Sequence, residues 1–374
     1  LESYTGRYSG IFPHVKCRMA SIAAGKFEPT KFNYTTGTVT QRNYIQRKEG
    51  LKGQFHHVYG ALLVEVNEKG DWWVRQLNAD STGTFYDTPS ICDNGIVRVH
   101  DGAVTEGHRA EAATLGDIHV DQIDLAVKEV IWGDGGMIDV LRPKYQFVHD
   151  VFDGYRQNSH DEGNVHIAFR KFIEKKTSMR GECEGVRDFF LDIARDGIET
   201  ICVDSNHHHQ IGRYLRRDQS MRDPSNAEMW LKMNSLVYEA IRRDGCEPNY
   251  MRVAMEAIGE EKFEKKARVR FLDEDESFII CKDRHGGIEG GMHGDLGPNG
   301  SRGSPARLAR MGRKANTGHT HSASIIDGVY TAGCCCVLDP AYVRGPSSWS
   351  HTQIVTYSSG KRAMLTIWAG RWRA

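Results

Sequence analysis

The stretch Ala112–His119, AATLGDIH, is a short apolar run that predicts a β-strand and ends on Asp117 and His119, a carboxylate and an imidazole separated by one residue. Side chains placed where strands end can converge at one edge of a sheet. Four further clusters of metal-ligand type follow, each after a run that indicates a strand or strand-like turn: Asp150 with Asp153 (HDVFD), Asn206 with His207 (DSNHHH), His293 (GMHGD), and His319 with His321 (GHTH). Together they predict carboxylate, amide and imidazole ligands for two divalent cations.

Each cluster by itself has an ordinary alternative. Asp117 and His119 alone would be a turn carboxylate and a surface imidazole. His293 would be a histidine of a flexible glycine-rich loop, and His207 would belong to an adventitious metal-binding run of histidines. Five clusters in one chain instead favour a binuclear metallohydrolase, because clustered imidazoles and carboxylates are the raw material of such sites.

The composition of the 374 residues is that of an ordinary globular protein, with 39% hydrophobic and 26% charged side chains. The 49 basic and 49 acidic side chains balance, so net charge supplies no overall attraction to nucleic acid, although a local basic groove stays open. No apolar run approaches the roughly 20 residues of a membrane helix, and the first residues do not resemble a secretion signal. We therefore expect no membrane association.

Cysteines are scattered along the chain and form no CxxC pair. An odd, dispersed set favours buried thiols in a reducing compartment over a disulfide framework, so we expect a cytoplasmic protein. The nine positions are Cys17, Cys92, Cys183, Cys202, Cys246, Cys281, Cys334, Cys335 and Cys336.

The sequence pattern changes near residue 110, from strand-type runs to an alternation of strand-type and helical runs. Residues 1–110 are predicted to form a β-rich accessory domain, in which strand runs at Val58–Val66 and Trp72–Leu77 flank a hairpin turn. Residues 111–374 are predicted to form the catalytic domain, with strand runs that alternate with helices such as Val165–Lys176, Cys183–Asp196 and Ala227–Arg243. This alternation predicts a layered α/β architecture.

The order of the motifs, DxH, DxxD, NH, HG and GHTH, resembles the calcineurin-like metallophosphoesterase superfamily over roughly residues 112–374. Such enzymes hydrolyse phosphoesters with two cations that acidify an attacking water and clamp the phosphoryl oxygens. The resemblance implies a four-layer αββα sandwich with two mixed sheets, preceded by the β-rich region. It also implies phosphodiester hydrolysis, with a hydroxide that bridges the metals and attacks phosphorus in line.

The resemblance assigns a role to each motif residue. It implies that Asp117, His119 and His321 hold the first metal, that Asp150 bridges, and that Asn206, His293 and His319 complete the second site. His207 would act on the leaving oxygen as a proton donor or transition-state stabiliser, and Asp153 would orient His207. Mn²⁺ is the expected metal, because a mixed shell suits borderline cations, and Zn²⁺, Fe and Mg²⁺ stay open.

The sequence departs from the family pattern beside the ligands but keeps every ligand. The departures count against the protein Ser/Thr phosphatase branch and leave the substrate open. They are His149 (usually Gly), Gly154-Tyr155 (Arg-Gly in that branch), Ser205 (usually Gly) and His208 (usually Asp or Glu).

A basic cluster with Arg213, Arg216 and Arg217 follows the His207 motif and suits contacts with a phosphate backbone. A solvated helix face is the ordinary alternative for such a cluster. The combination of the GHTH motif, the flanking arginines and a large accessory region resembles that of phage-encoded members of the nuclease branch. This resemblance implies a DNase that acts in the host cytoplasm. A small-molecule phosphodiesterase or phosphomonoesterase is the alternative, and a scaffold on a degenerate fold is disfavoured by the complete ligand set. Exposed strand edges in residues 1–110 also leave a homo-oligomer open.

Overall fold

A computed structural model describes residues 3–26, 28–92, 95–217, 221–260, 262–284, 286–340 and 344–374. Strands and helices both contribute, which confirms the predicted mixed α/β class. In chain order the strands are β1 (Gly10–Phe12), β2 (Met19–Ile22), β3 (Lys31–Thr35), β4 (Gly60–Val66), β5 (Trp72–Asn78), β6 (Phe85–Asp87), β7 (Ile96–His100), β8 (Ala103–His108), β9 (Ala110–Asp117), β10 (Tyr145–His149), β11 (Glu199–Cys202), β12 (Val269–Phe271), β13 (Ile279–Ile280), β14 (Ile288–Glu289), β15 (Lys314–Thr317), β16 (Ser324–Ile326), β17 (Val329–Thr331), β18 (Thr352–Tyr357) and β19 (Arg362–Thr366).

The helices concentrate in the middle of the chain. They are α1 (Lys48–His56), α2 (Leu125–Trp132), α3 (Met137–Leu141), α4 (Val165–Ile173), α5 (Met179–Ile193), α6 (His209–Leu215), α7 (Ala227–Asp244), α8 (Tyr250–Ala257), α9 (Phe263–Lys266) and α10 (Pro305–Leu308). Among the described residues no helix is long and apolar enough to cross a bilayer.

The chain forms two compact units that are not consecutive in sequence. The first unit contains residues 1–117, 124–147 and 277–374, and the second contains residues 118–123 and 148–276. The division that we predicted at residue 110 is therefore not the division that the structure makes. Strand pairing explains the difference, because β2 from the N-terminal region pairs antiparallel with β16 from the C-terminal region.

An eight-stranded mixed sheet lies entirely in the first unit, in the order β1-β3-β2-β16-β17-β15-β14-β13. Its parallel pairs include β15 with β17 and β14 with β15. Side chains from distant parts of the chain, among them Met19, Tyr34, Tyr330 and Ile354, form one buried apolar cluster in this unit. Burial of such side chains supplies the main stabilisation of the unit.

The strand β9 delivers Asp117 to its position in the first unit. It pairs antiparallel with β18, and its last six residues are buried. A Cβ atom on Gly116 would lie 2.2 Å from the carbonyl oxygen of Gly333, so this approach of two backbones requires glycine. The amide of Asp117 donates to the same carbonyl over 3.3 Å, which holds the end of the strand.

The second unit packs helices around the parallel pair β11 and β12. Helix α5 begins at a cap in which the Ser178 side chain accepts a hydrogen bond from the Gly181 amide over 3.1 Å. Its buried face includes Phe190, whose ring meets that of Phe271 on β12 edge to face at 5.5 Å. This core holds the end of β11, after which the chain reaches Asn206.

Candidate metal centre

The first unit brings together four of the predicted ligands, Asp117, His293, His319 and His321. The Asp117 side chain is fully buried and accepts a hydrogen bond from the His319 amide over 2.9 Å. Its other oxygen lies 2.9 Å from Nε2 of His321. Both histidines follow β15 in left-handed backbone conformations, with φ of 74° and 55°. Such conformations are uncommon outside glycine and occur in turns as well as at functional sites.

His293 joins this group through the loop that follows β14. Its ring lies 5.1 Å from the ring of His319, edge to face, and its side chain is 3% exposed. The carbonyl of His293 accepts a hydrogen bond from the Gly318 amide over 2.8 Å. The glycine-rich loop therefore holds His293 at a defined place beside the GHTH motif.

The protonation of His321 depends on its carboxylate neighbour. Burial alone would lower the pKa of this imidazole, but the negative charge of Asp117 and their hydrogen bond outweigh it and raise the pKa to about 10. An imidazole that ligates a metal must be neutral. A cation at Nε2 of His321 would therefore take the place of a proton.

The second unit holds two more of the predicted ligands, His119 and Asp150, on two backbone segments that run side by side. The amide of Ile118 donates to the carbonyl of His149 over 3.0 Å, and the amide of His119 donates to the carbonyl of Asp150 over 2.8 Å. His119 and Asp150 both have left-handed backbones and are 1% exposed. Nε2 of His119 lies 3.8 Å from Oδ2 of Asp150, a spacing that leaves room for a shared cation.

Asp153 contacts two histidines with different atoms. Its carboxylate lies 3.0 Å from Nδ1 of His119, and its carbonyl oxygen lies 2.7 Å from Nδ1 of His207. The expectation that the Asp153 carboxylate orients His207 is therefore corrected: the backbone orients His207, and the carboxylate orients His119. The reason is that the loop turns the Asp153 side chain toward His119, whose ring meets that of His207 at 4.5 Å.

The contact with His119 also lowers the pKa of the Asp153 carboxyl. Burial would raise the pKa of this carboxyl, but the hydrogen bond from His119 and the positive charge of that ring lower it below the ordinary value. The ligand-type atoms of His119, Asp153 and the half-buried His207 lie within 4.8 Å of one another, so this group could hold a cation. Among the described residues, the second unit thus contains a histidine–carboxylate cluster of the kind found around metals.

Asn206 carries an unsatisfied polar atom. Its Oδ1 is buried and has no hydrogen-bond partner among the residues that the structure describes. A buried acceptor without a donor costs about 1–3 kcal/mol, so a native structure keeps one for a reason. An amide oxygen in this position is suited to a hard or borderline divalent cation.

Two further residues near these groups were not predicted. Asp204 lies 2.8 Å from Nε2 of His209, so the third histidine of the DSNHHH run is engaged outside the predicted ligand set. Glu182 on α5 is buried and accepts hydrogen bonds from the amides of Tyr155 and Arg156, both over 3.2 Å. The sequence could have indicated Glu182, because it is a charged residue on the apolar face of α5.

The predicted substrate-binding arginines have unequal surroundings. Arg213 is exposed on α6. Arg216 forms an ion pair with Glu247 over 2.7 Å, and Arg217 donates to the carbonyl of Gln157 over 3.3 Å. A phosphate would therefore have to compete with Glu247 for Arg216.

Comparisons with known proteins place the chain near a phage protein. It is 37% identical over 370 residues to Protein A1 of Escherichia phage T5, across 96% of this chain and 63% of that protein. No protein-family model matches the chain, and no solved structure matches it. The chain is therefore similar over nearly its whole length to this phage protein, but it spans less than two thirds of that protein's length.

Proposed function

We propose that this protein is a two-metal-dependent phosphodiesterase that hydrolyses DNA, with a calcineurin-like metallophosphoesterase site on a four-layer αββα sandwich. The observation that carries the proposal is Oδ1 of Asn206, a buried acceptor that has no donor among the described residues. The motif residues also supply the carboxylates and imidazoles that two metal shells would need. No residue in the motif set lacks the chemistry that its role requires.

The ligand roles that we propose are those that the family resemblance implies. Asp117, His119 and His321 would hold one cation, Asn206, His293 and His319 the other, with Asp150 shared between them. Asp117 and His119 are separated by one residue, so covalent geometry limits the distance between their Cα atoms to about 7 Å. When bound, Mn²⁺ ions would supply Lewis acidity for the phosphoryl oxygens and acidify the attacking water.

His207 is the residue that we assign to the leaving group. The carbonyl of Asp153 can only accept, so Nδ1 of His207 carries the hydrogen in their 2.7 Å contact. Nε2 is then the atom that gives a proton to the leaving oxygen when the ring is protonated. A general acid must be oriented in this way, and such catalysis contributes about 10²–10⁴-fold to rate.

The assignment of DNA as substrate draws on the arginines and the phage relative. The exposed Arg213 on α6 can contact a phosphodiester backbone, because α6 begins within the DSNHHH run. A phage relative favours action in the host cytoplasm. Oligomer formation stays part of this proposal without a number of subunits.

The first experiment combines Mn²⁺, linear double-stranded DNA and variants of Asn206. We expect degradation by the wild type that EDTA abolishes. Asn206→Leu should bind one metal fewer and should unfold at a higher temperature than the metal-free wild type, since it removes an unsatisfied oxygen. Asn206→Asp keeps an oxygen ligand and should retain the metal.

Three outcomes would contradict parts of this proposal. Intact DNA alongside EDTA-sensitive hydrolysis of a small aryl phosphodiester would keep the metal site and replace DNA by a small molecule. Absence of both activities would reject the enzyme. Equal metal content in wild type and Asn206→Leu, measured by elemental analysis, would remove Asn206 from the ligand set.

A further inference from the structure

The segment Cys334–Cys336 lies beside β9 in the first unit. The amide of Cys335 donates to the carbonyl of Asp117 over 2.8 Å, and the amide of Cys334 donates to the carbonyl of Ser350 over 2.9 Å. Each of the three cysteine side chains is at most 1% exposed. The backbone therefore holds this row of thiols in place next to a predicted metal ligand.

Alternate side chains of the segment face different neighbours, as in a strand. Ligand-type atoms of Cys334, Cys336 and His321 all lie within 4.8 Å of one another. The Sγ atom of Cys335 instead lies 3.5 Å from Nε2 of Gln353 and 3.9 Å from the carbonyl oxygen of Gly116. Two thiols and one imidazole thus share one side, and the middle thiol points to another.

We propose that His321, Cys334 and Cys336 form a second kind of cation site, selective for a thiophilic divalent ion such as Zn²⁺ or Cd²⁺. Two sulfurs and one imidazole nitrogen are the ligands that tetrahedral zinc sites use, with Zn–S near 2.3 Å and Zn–N near 2.0 Å. Binding breaks two S–H bonds and forms two S–metal bonds, and the two protons leave to solvent. No change of oxidation state is involved.

His321 belongs both to this site and to the proposed Mn²⁺ site, so the two sites compete for its ring. This consequence rests on the proposed function. A neutral imidazole has one lone pair and one N–H, so it ligates one cation at a time. An ion held by the two thiolates and His321 would withdraw this ring from Asp117 and from the Mn²⁺ site. Thiophilic metals would therefore inhibit the enzyme by occupying an adjacent site.

The test titrates the metal-free protein, residues 1–374, with Cd²⁺ alone and follows the ultraviolet absorption of thiolate–Cd²⁺ bonds. Wild type should bind one equivalent with a two-thiolate band. Cys334→Ser and Cys336→Ser should each lose about half of the band and bind about tenfold more weakly or worse. Cys335→Ser is the matched control and should behave as wild type, since its thiol faces Gln353. The other cysteines are common to all four proteins, so they cancel in the comparison.

Two results would overturn the site. One is an unchanged band in both Cys334→Ser and Cys336→Ser, and the other is an equal loss in Cys335→Ser. Far-UV circular dichroism checks folding, and the corresponding alanine variants replace any serine variant that fails to fold.

A second measurement tests whether His321 is shared between the two sites. It is the Mn²⁺ content of the protein after addition of one equivalent of Cd²⁺. We expect wild type to lose Mn²⁺ and the Cys334→Ser/Cys336→Ser double variant to retain more of it. Full thiolate coordination with no loss of Mn²⁺ would reject the shared histidine. The Cd²⁺ band needs neither Mn²⁺ nor DNA, so failure of the proposed nuclease would leave it intact.

Discussion

Two imidazole–carboxylate pairs, one in each unit, have similar lengths and different chemistry. In the first unit Nε2 of His321 lies 2.9 Å from Asp117, and both partners are candidate ligands, so a cation would replace their contact. In the second unit Nδ1 of His119 lies 3.0 Å from Asp153, and Nε2 of that ring faces Asp150. This second pair can persist around a bound cation. The two distances are alike, so the difference lies in which ring nitrogen contacts the carboxylate. A carboxylate at the nitrogen that would bind the metal is a candidate ligand, whereas a carboxylate at the other nitrogen supports the ring.

The largest effect is expected from breaking the first pair. Asp117→Asn removes a buried carboxylate that would be a direct ligand, so we expect no measurable Mn²⁺-dependent DNA cleavage and a loss of bound metal. Asp101→Asn is the matched control, because Asp101 is exposed and its left-handed turn accommodates asparagine. Cleavage by Asp117→Asn within a few-fold of wild type would show that the two pairs do not differ in this way.

The histidine held by the backbone of Asp153 comes next. His207→Ala should lower the rate by about 10²–10⁴-fold while the Mn²⁺ content stays that of wild type, because the role proposed for this ring is on the leaving group and not on the metal. His209→Ala is the control, since His209 pairs with Asp204. If elemental analysis finds one metal fewer in His207→Ala, His207 is a ligand instead.

A smaller effect is expected from the second pair. Asp153→Ala should weaken Mn²⁺ binding by about 10–100-fold, as loss of a carboxylate behind a ligating histidine does. Asp153→Asn keeps an acceptor for the His119 ring and should lie between alanine and wild type. Isothermal titration with Mn²⁺ gives the order, and turnover at saturating Mn²⁺ should recover in both variants. Failure to recover would mean that Asp153 itself binds the metal rather than supporting His119.

The smallest effect concerns Glu182, which holds the loop after Asp153. Burial, with the nearby charges of Asp121 and Asp153, raises the pKa of Glu182 to about 8, against the opposing charge of Arg156. Between its ordinary pKa and about 8, the folded state keeps a proton that the unfolded chain releases. The free energy of unfolding therefore falls as pH rises through this window.

Glutamine at this position cannot ionise, although it loses one acceptor for a backbone amide at every pH. We expect the difference in melting temperature, Glu182→Gln minus wild type, to become more positive by a few degrees between about pH 5 and pH 8.5. Thermal unfolding of the metal-free proteins measures it. A difference that does not change with pH would mean that Glu182 is ionised throughout.

Local patterns predicted much of this molecule. The hairpin of β4 and β5 and the helix α7 follow from short-range hydrophobic periodicity, and both lie within a few residues of the expected bounds. The clusters at strand ends were also visible, because a polar ligand after an apolar run stands out in the sequence. The sequence did not show that the predicted ligands are divided between two units.

What escaped prediction depends on contacts between residues distant in sequence. The pairing of β2 with β16 joins Ala20 to Ser324, and no local preference encodes that partner. The choice of His119 rather than His207 as partner of the Asp153 carboxylate depends on the direction in which one loop turns. Spacing along the chain indicates which residue types are available, whereas side-chain direction needs the fold.

The discontinuous first unit bears on how this protein can be dissected for production. A fragment that ends at residue 110 would keep β2 and lose β16, which is its neighbour in the sheet. The backbone amides and carbonyls along that side of β2 would then face solvent as an open edge, a template for intermolecular pairing. We expect such a fragment to aggregate, so binding assays on the N-terminal region should use the whole chain with surface substitutions instead.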